Sequence, residues 1–346
     1  MNFLLDKLEA QRRLTHAEWT ALIQGRTPEL AEDLFSRARR IRDTHYGKGI
    51  FIRGLIEFTN ICKNDCLYCG IRRSNKKVTR YRLAEDEILA CCDVGYSLGF
   101  RTFVLQGGED PYFTDDRLTA LVKAIKGRYP DCALTLSVGE RSPEAYRRFY
   151  DAGADRYLLR HETANPEHYA RLHPPELTLE HRQNCLRSLK AIGYQTGTGF
   201  MVGSPYQTPE DLARDMVFIQ ELNPQMVGIG PFIPHCDTPF AKEPAGTLEL
   251  TLFMLGLLRL LLPKALLPAT TALGSITPEG RALGIQAGAN VIMPNLSPPD
   301  HRKDYALYNG KLSSGEEAAE GKRLLADQMA AIGHHLVTDR GDSKNM

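Results

Sequence analysis

The residues best suited to chemistry in this chain are three cysteines in one short segment. They are Cys62, Cys66 and Cys69, four and three residues apart, with Tyr68 directly before the last of them. A single tight loop with this spacing can direct three thiolates at one inorganic centre. A closed structural zinc or iron–sulfur site usually has four protein ligands. Three cysteines therefore predict a cluster in which one metal position stays open for another ligand.

A zinc loop completed by a distant residue is the alternative interpretation of these cysteines. Cys91 and His161 are the candidates for its fourth ligand. Cys91, Cys92 and Cys185 fall on predicted helices, where free cysteines are usually small buried hydrophobes. The spacing, the flanking tyrosine and the strand–helix pattern that follows favour an iron–sulfur cluster over zinc.

The composition excludes several classes of protein. The 346 residues carry a net charge of +1 with acids and bases interspersed, which argues against nucleic acid or an anionic membrane as the main partner. The amino terminus has too many acids and too short an apolar run for a signal peptide. The most apolar stretch, residues 250–262, contains Gly256 and Arg259 and is too short for a membrane span. We expect a cytoplasmic protein whose eight cysteines are thiols or metal ligands.

The elements that must position the cysteines follow a regular pattern. Helical signals fill the first 48 residues, and Thr27 followed by Pro28 is a typical helix start. Short apolar runs then alternate with amphipathic segments; the runs lie at residues 50–58, 102–106, 133–138, 156–160, 197–202, 226–232, 267–272 and 290–294. Eight such strands predict an α/β fold, a parallel (β/α)8 barrel of the TIM type with an N-terminal helical extension. A doubly wound open sheet is the alternative.

Three parts of the chain are expected on this basis. Residues 1–48 form helices that pack on the outside or bottom of the barrel, residues 49–310 form the barrel, and residues 311–346 form a C-terminal helix and tail.

Polar residues at the strand ends should meet at one mouth of such a barrel. Arg160 offers planar donors for a carboxylate, and the threonine pair Thr270 and Thr271 adds neutral donors. A structural ion pair between Arg160 and Glu162 is the alternative, since residues two apart on a strand share a face. His161 should then point into the helix layer.

Two sequence motifs resemble those of a known superfamily. Cys62-x-x-x-Cys66-x-Tyr68-Cys69 after the first strand resembles the signature of radical S-adenosylmethionine (SAM) enzymes, and Gly107-Gly108-Glu109 after the second resembles their glycine-rich turn. The resemblance implies one 4Fe–4S cluster on the three cysteines and SAM on its open iron. Reductive cleavage of SAM would then release a 5′-deoxyadenosyl radical.

Longer motifs between residues 45 and 310 narrow the resemblance to the HydE family of FeFe-hydrogenase maturases. They are Glu57–Asn60, Arg80–Arg82, Gln106–Tyr112, Tyr157–Asn165, Val227–His235, Pro268–Ala272 and Asn290–Asn295. By this resemblance, SAM contacts Tyr68, Gly107, Gly108, Glu109, Ser137, Glu162 and Arg182. The substrate, a small cysteine-bound iron carbonyl–cyanide unit, contacts Arg160, Thr270, Thr271, Met293, Tyr305 and Tyr308. Core packing is the alternative for the two tyrosines, which are three residues apart on a predicted helical turn.

The resemblance also implies partners: a scaffold GTPase, a tyrosine-cleaving maturase and an electron donor such as ferredoxin or flavodoxin. Many relatives have an accessory cluster on later cysteines, but the last cysteine here is Cys236, so we expect no C-terminal cluster. A radical SAM synthase acting on an amino-acid-like substrate, similar to methylornithine synthase, is the alternative enzyme. Biotin synthase is less favoured because its second cluster needs further cysteines. A metal-binding protein without enzymatic activity is the third possibility.

Overall fold

The computed structural model describes residues 1–312 and 318–344. The described helices are α1 Asn2–Gln11, α2 His16–Gln24, α3 Pro28–Tyr46, α4 Glu85–Ser97, α5 Asp115–Arg128, α6 Pro143–Asp151, α7 Pro166–Leu172, α8 Leu179–Ile192, α9 Pro209–Leu222, α10 Leu248–Leu261, α11 Thr271–Ile276, α12 Gly280–Gln286, α13 Pro299–Arg302 and α14 Ala318–Ala331. The strands are β1 Gly49–Ile52, β2 Gly54–Thr59, β3 Thr102–Gly107, β4 Ala133–Ser137, β5 Arg156–Leu158, β6 Gln195–Thr198, β7 Met201–Val202, β8 Met226–Val227, β9 Gly230–Pro231, β10 Val291–Ile292 and β11 His335–Val337.

The three N-terminal helices pack on the outer helix layer, and the second and third begin at well-formed caps. The Thr15 side chain accepts from the Glu18 amide and the Glu18 side chain reciprocates, which is a capping box at the start of α2. Thr27 caps α3 ahead of Pro28, as the sequence predicted. Helix α2 lies against α9 and α3 lies against α10, so this extension covers the outside of the barrel.

The strands form a closed parallel barrel. A six-stranded parallel sheet has the order β2-β3-β4-β5-β6-β8. Parallel bridges continue it from Met226 to Leu266 and from Pro268 to Val291, and a last one joins Leu55 to Asn295 and returns to β2. This closure confirms the predicted barrel over the open sheet. It also brings the carboxyl ends of all eight strand segments to one mouth.

One predicted strand is shorter than expected. The run at residues 267–272 contributes the bridge at Pro268 and the bond from the Ala269 amide to the Val291 carbonyl, and Thr271 already begins helix α11. Thr270 adopts the extended N-cap conformation there, which ends the strand direction. The predicted strand at residues 50–58 is also divided, because β1 ends at Ile52 and β2 begins at Gly54. Backbone bonds from Phe51, Arg53 and Leu55 nevertheless join both parts to the last strand segment.

The apolar core forms a layer between the strands and the surrounding helices. One large buried cluster unites β2, β3 and β4 with α4, α5 and α6, and a second joins the N-terminal helices to α9 and α10. Helix α10 is buried along nearly its whole length. In the described part of the chain, none of the helices has the length and apolar character needed to cross a bilayer.

The C-terminal tail is bound to the barrel by strand pairing and by hydrogen bonds. Strand β11 pairs in parallel with β1, and beyond it the Asp342 carboxylate accepts from the buried Arg156 guanidinium at 2.7 Å and from the Gln195 amide at 2.8 Å. The predicted boundaries at residues 48 and 310 stay predictions, and residues 313–317 and 345–346 of the predicted C-terminal part lie outside the described residues.

We expect Asp342→Asn to lower the melting temperature at pH 7. Burial alone would raise the pKa of Asp342, but hydrogen bonds from Gln195 and Arg340 hold it at about 2, below the unfolded value of about 3.9. A depressed carboxyl pKa stabilises the fold above about pH 4, and that stability is lost as the pH falls toward 2. The variant should lose about 1–2 kcal/mol at pH 7, since the group is partly exposed. Thermal melts at pH 7 and pH 3 test this, and an equal deficit at both pH values would contradict it.

Candidate active site

The cysteine loop is held in place by two side chains that bind its backbone. The Asn60 amide donates to the carbonyls of Thr79 and Asp304 at 2.7 and 2.8 Å, and its oxygen accepts from the Tyr81 amide. The Arg80 guanidinium donates to four carbonyls, those of Asn60, Ile71, Arg72 and Asn75. These two side chains thus connect backbone groups across residues 60–82.

The three cysteines lie together on this loop and are half-buried. Burial raises the pKa of the Cys69 thiol to about 12, and the neighbouring Cys62 adds to the rise. Burial and the nearby Cys69 likewise raise the pKa of Cys66. Thiolates in such surroundings need a positive centre to be stable at neutral pH. A metal cluster supplies that charge.

The spacing of the cysteine sulfurs fits a cluster better than a single zinc ion. Four sulfurs around one zinc at about 2.3 Å lie roughly 3.8 Å from each other. Among the residues that the structure describes, the group of His, Cys, Asp and Glu ligand atoms lying within 4.8 Å of one another is His235, Cys236 and Asp237. The three loop sulfurs are therefore spread more widely than the ligands of one ion. This disfavours the zinc interpretation.

Gly108 allows the second strand end to approach the cysteine loop. A methyl group added at Gly108 would overlap the Ile61 carbonyl oxygen and would lie 2.8 Å from Cys62 Cβ. The next amide, that of Glu109, points at the Cys62 sulfur at 3.4 Å. Close packing of two backbones is a common reason for a required glycine.

Gly108→Ala should therefore displace the cysteine loop and reduce cluster binding while the barrel stays folded. We expect at least a twofold drop in iron bound per chain after anaerobic reconstitution, because the overlapping atom is backbone and has little room to move. The matched control is Gly127→Ala on α5, where an added methyl meets no atom within 4 Å. That control should keep full iron content and gain about 0.5–1 kcal/mol of stability. Equal iron contents in the two variants would contradict the role of Gly108.

Glu109 begins a polar chain that runs across the mouth. Its carboxylate accepts from the Glu140 amide at 3.0 Å and lies 3.2 Å from the Lys63 ammonium. A methyl group at Gly139 would overlap this carboxylate. The Glu140 carboxylate in turn binds Arg182, whose other nitrogen donates to the Arg160 carbonyl at 2.7 Å. Sequence reasoning missed Glu140, because only the tertiary fold places it between Glu109 and Arg182.

Arg160 and Glu162 form an ion pair with unsatisfied atoms. Arg160 Nη2 lies 3.1 Å from Glu162 Oε2, yet neither atom has a partner with hydrogen-bond geometry, and Arg160 Nε lacks one as well. Strand β5 ends at Leu158, so the expectation that both residues share a strand face is wrong. Glu162 instead has a left-handed backbone with φ of 65°, held by its amide bond to the Gly199 carbonyl. Strained polar residues with free buried donors and acceptors are typical of binding sites.

Tyr68 is oriented by a buried histidine. Burial lowers the pKa of His173 to about 3, so its ring is neutral at pH 7. Nδ1 lies 3.0 Å from the Tyr169 carbonyl and must carry the proton, which leaves Nε2 to accept from the Tyr68 hydroxyl at 3.2 Å. The Tyr68 hydroxyl therefore donates its hydrogen bond to a group of the protein itself. Ser137 ends β4 opposite Gln106 of β3, at the same mouth.

His161 points away from the mouth, as expected. It bonds to Thr198 at 2.8 Å and to Asp215 of α9 at 3.2 Å, and its ring packs on Phe218. This histidine belongs to the helix layer.

Four of the six predicted substrate residues line two neighbouring cavities, and Arg160 and Thr270 line neither of them. Thr271 and Met293 line a cleft of about 310 Å³, and Tyr305 and Tyr308 line a second cavity of about 180 Å³. Both tyrosines lie in the irregular segment after α13 rather than on a helical turn, so that expectation is wrong. The buried Thr270 hydroxyl has no hydrogen-bond partner in the described structure.

Glu57 and Lys311 join these two cavities and were not chosen from the sequence. The Lys311 ammonium lies 2.5 Å from the Glu57 carboxylate and 2.8 Å from the Tyr305 carbonyl, and it sits over the Tyr305 ring. Asn295 donates to the other Glu57 oxygen at 2.8 Å. Glu57 belongs to the motif at the end of β2, whereas no local signal marked Lys311.

Comparison with known proteins agrees with this geometry. The model of the radical SAM superfamily matches residues 56–219, which include the cysteine loop and the Glu109, Glu140 and Arg182 chain. The chain is 48% identical over 343 residues to the FeFe-hydrogenase maturase subunit HydE of Thermotoga maritima, covering 99% of this chain and 97% of that protein. The chain belongs to the HydE family of radical SAM enzymes.

Other members of the superfamily are more distant from this HydE-family chain. It is 29% identical over 314 residues to 3-methylornithine synthase of Methanosarcina barkeri, covering 89% and 87% of the two chains. The crystal structure of methylornithine synthase superposes with a TM-score of 0.85 at 27% identity, covering 96% and 97%. The hydrogenase maturase HydG superposes with a TM-score of 0.81 at 18% identity, over 97% of this chain and 75% of HydG, and shares the fold.

Proposed function

We propose that this protein acts as a HydE-type maturase in the assembly of the FeFe-hydrogenase active site. The observation that carries the proposal is the 48% identity to Thermotoga maritima HydE over nearly the full length of both chains. The corresponding value for methylornithine synthase is 29%, which favours the maturase over a synthase acting on an amino acid. The substrate would be a small cysteine-bound iron carbonyl–cyanide unit.

The cofactors in this proposal are one 4Fe–4S cluster on Cys62, Cys66 and Cys69, and SAM. When bound, the reduced cluster supplies the electron that cleaves SAM to methionine and a 5′-deoxyadenosyl radical. The residues proposed to surround SAM are Tyr68, Gly107, Gly108, Glu109, Ser137, Glu162 and Arg182. Three observations support the fit of these residues to the cluster and SAM. They are the three free thiols, the close approach of Gly108 to the cysteine loop, and the Glu162 oxygen without a hydrogen-bond partner.

The protein residues have separable tasks in binding SAM. Glu109 is fixed by the Glu140 amide and faces only the exposed Lys63, so its carboxylate can receive an ammonium group. Arg182 is held by Glu140 and the Arg160 carbonyl, and it adds positive charge near Glu162. A buried carboxylate and a buried guanidinium that both contact Glu140 suit a zwitterionic ligand, because each charge of the ligand finds its opposite.

The substrate residues are proposed to be Arg160, Thr270, Thr271, Met293, Tyr305 and Tyr308. Arg160 and Thr270 support this most directly, since both carry buried polar atoms without hydrogen-bond partners. A guanidinium and a hydroxyl both donate to the oxygens of a carboxylate or to the nitrogen of a cyanide. The proposed partners are the scaffold GTPase, the tyrosine-cleaving maturase and a ferredoxin or flavodoxin. We also propose that no accessory cluster is present.

Complementation tests the proposal. Bacterial cells that make an FeFe-hydrogenase but lack their own HydE should regain hydrogenase activity when this chain is expressed, and the Cys66→Ala variant should fail to restore it. Restoration equal to that of authentic HydE would support the maturase. If the protein cleaves SAM in vitro and forms 3-methylornithine from an amino acid, but does not restore hydrogenase activity, the result would contradict the maturase and favour the synthase.

A further inference from the structure

The backbone around Glu162 makes a tight, strained turn at the mouth of the barrel. Glu162 has φ of 65°, and the Thr163 amide donates to the His161 carbonyl at 2.8 Å across it. A bond between residues two apart around a positive φ is characteristic of a γ-turn of the rare, strained kind. Such a conformation persists only where the surrounding structure holds it. Other groups of the fold must therefore fix this turn.

The residues on both sides of Glu162 are bound to one buried acid in the helix layer. The His161 ring contacts Thr198 Oγ1 at 2.8 Å and Asp215 Oδ1 at 3.2 Å. The Ala164 amide donates to the same Asp215 Oδ1 at 2.5 Å. Asp215 thus contacts the chain directly before Glu162 and two residues after it. We call Asp215 and these two bonds the clamp.

The surroundings of Asp215 fit this task. Its carboxyl group is completely buried on α9, where an acid is unfavourable unless it binds donors. Burial lowers the pKa of His161 to about 3, so its ring is neutral at pH 7. The Thr198 hydroxyl can donate to Nδ1, which leaves the ring proton on Nε2 to be donated to Asp215. One carboxyl oxygen therefore accepts hydrogen bonds from both sides of the turn.

We propose that Asp215 is a positioning residue for SAM binding, which acts through Glu162 by holding the turn on both sides. This inference deepens the proposed function and rests on it, since Glu162 is one of the residues proposed to surround SAM. Asp215 itself is completely buried, and its partners are His161 and Ala164. Because Glu162 Oε2 has no hydrogen-bond partner of its own, the place of this atom depends largely on the backbone of the turn.

Three variants test the clamp through the affinity for SAM, measured by equilibrium dialysis with the cluster-loaded, unreduced protein. Asp215→Ala removes both bonds and should weaken SAM binding by about 5- to 20-fold, because a small displacement of a binding group loses its contact. Asp215→Asn keeps an oxygen acceptor and should restore the affinity to within about threefold of the wild type. His161→Phe breaks one bond but keeps a ring against Phe218, and it should lose about two- to fivefold. This variant tests the same clamp if Asp215→Ala does not fold.

The matched control is Met216→Ala, at the next residue of α9. Met216 is completely buried in the apolar cluster that joins α9 to the N-terminal helices, so its truncation leaves a cavity and should lower the melting temperature. The affinity for SAM should stay within about twofold of the wild type, since additivity holds for sites without shared partners. If Met216→Ala weakens SAM binding as much as Asp215→Ala, general destabilisation explains the loss and the proposal is overturned.

A double-mutant cycle shows whether Asp215 acts through Glu162. Asp215→Ala should cost less than about twofold in SAM affinity when Glu162→Ala is already present, because the group that it positions is then missing. The same loss in both backgrounds would overturn the proposal. So would an unchanged affinity in Asp215→Ala when Glu162→Ala binds SAM weakly.

Hydrogen exchange, followed by mass spectrometry, tests the clamp without SAM. In the reconstituted, SAM-free protein, the amides of residues 163–165 should exchange at least about tenfold faster in Asp215→Ala than in the wild type, and within about threefold of the wild type in Met216→Ala. Unchanged exchange in Asp215→Ala would overturn the proposal. If the wild type binds no SAM, the proposed function fails, and the exchange rates alone then decide whether Asp215 holds the turn.

Discussion

Cys66→Ala is expected to remove the bound cluster almost completely. In the proposed site three thiols share one centre, so the loss of one leaves two protein ligands on a loop whose remaining cysteines are half-buried. Loss of a residue that only orients a metal ligand already costs about 10- to 100-fold in affinity or activity, and loss of a ligand should exceed that. The measurement is the iron content after anaerobic reconstitution, together with the electron paramagnetic resonance signal of the reduced protein.

The control for this substitution is Cys91→Ala. Cys91 is buried on α4 among apolar side chains, and burial raises the pKa of its thiol to about 11, so it should remain protonated and inert. We expect this variant to bind iron like the wild type and to lose about 1–2 kcal/mol of stability through its smaller side chain. A cluster that survives Cys66→Ala, or one that is lost in Cys91→Ala, would contradict the assignment of the three loop cysteines.

Glu162→Gln is expected to weaken SAM binding by about 10- to 100-fold. The unsatisfied Oε2 atom is buried beside Arg160, and a hydrogen bond to a charged group contributes about 1.5–3 kcal/mol. Glutamine keeps the size and the backbone conformation at φ of 65°, so the variant removes mainly the negative charge. Equilibrium dialysis of SAM against the cluster-loaded, unreduced protein measures the effect.

Glu167→Gln provides the comparison for this variant. Glu167 is exposed in the first turn of α7, where its carboxylate has no role in the mouth. SAM affinity should be unchanged in this control. Equal affinities of SAM for Glu162→Gln and the wild type would show that Glu162 serves only as the ion-pair partner of Arg160.

Local pattern was sufficient to predict the cysteine loop and the barrel. The spacing of Cys62, Cys66 and Cys69 is a property of eight consecutive residues, and the alternation of apolar runs with helices does not depend on long-range contacts. The predicted strand at residues 267–272 ends early for a physical reason. Ala269, Thr270 and Thr271 continue an apolar, β-branched run, but the Thr270 backbone starts a helix instead.

The details of the site required the tertiary fold. A side chain at Gly108 would overlap Ile61, which is 47 residues away, whereas the sequence marked Gly108 only through its resemblance to a glycine-rich turn that contacts SAM. Glu140 and Lys311 become site residues because the barrel closes and brings Glu140 to Arg182 and Lys311 to Glu57. Isolated charged residues in loops carry no periodic signal, so reasoning from pattern could not select them.

We infer that the three loop cysteines and the polar mouth make this chain a radical SAM enzyme. Anaerobic incubation of the reconstituted protein with SAM and dithionite, followed by quantification of 5′-deoxyadenosine by chromatography, tests this claim. We predict several equivalents of 5′-deoxyadenosine per chain, matched by methionine, and none when SAM, reductant or Cys66 is missing. Intact SAM in the complete mixture, from a protein that carries its full iron content, would contradict the claim.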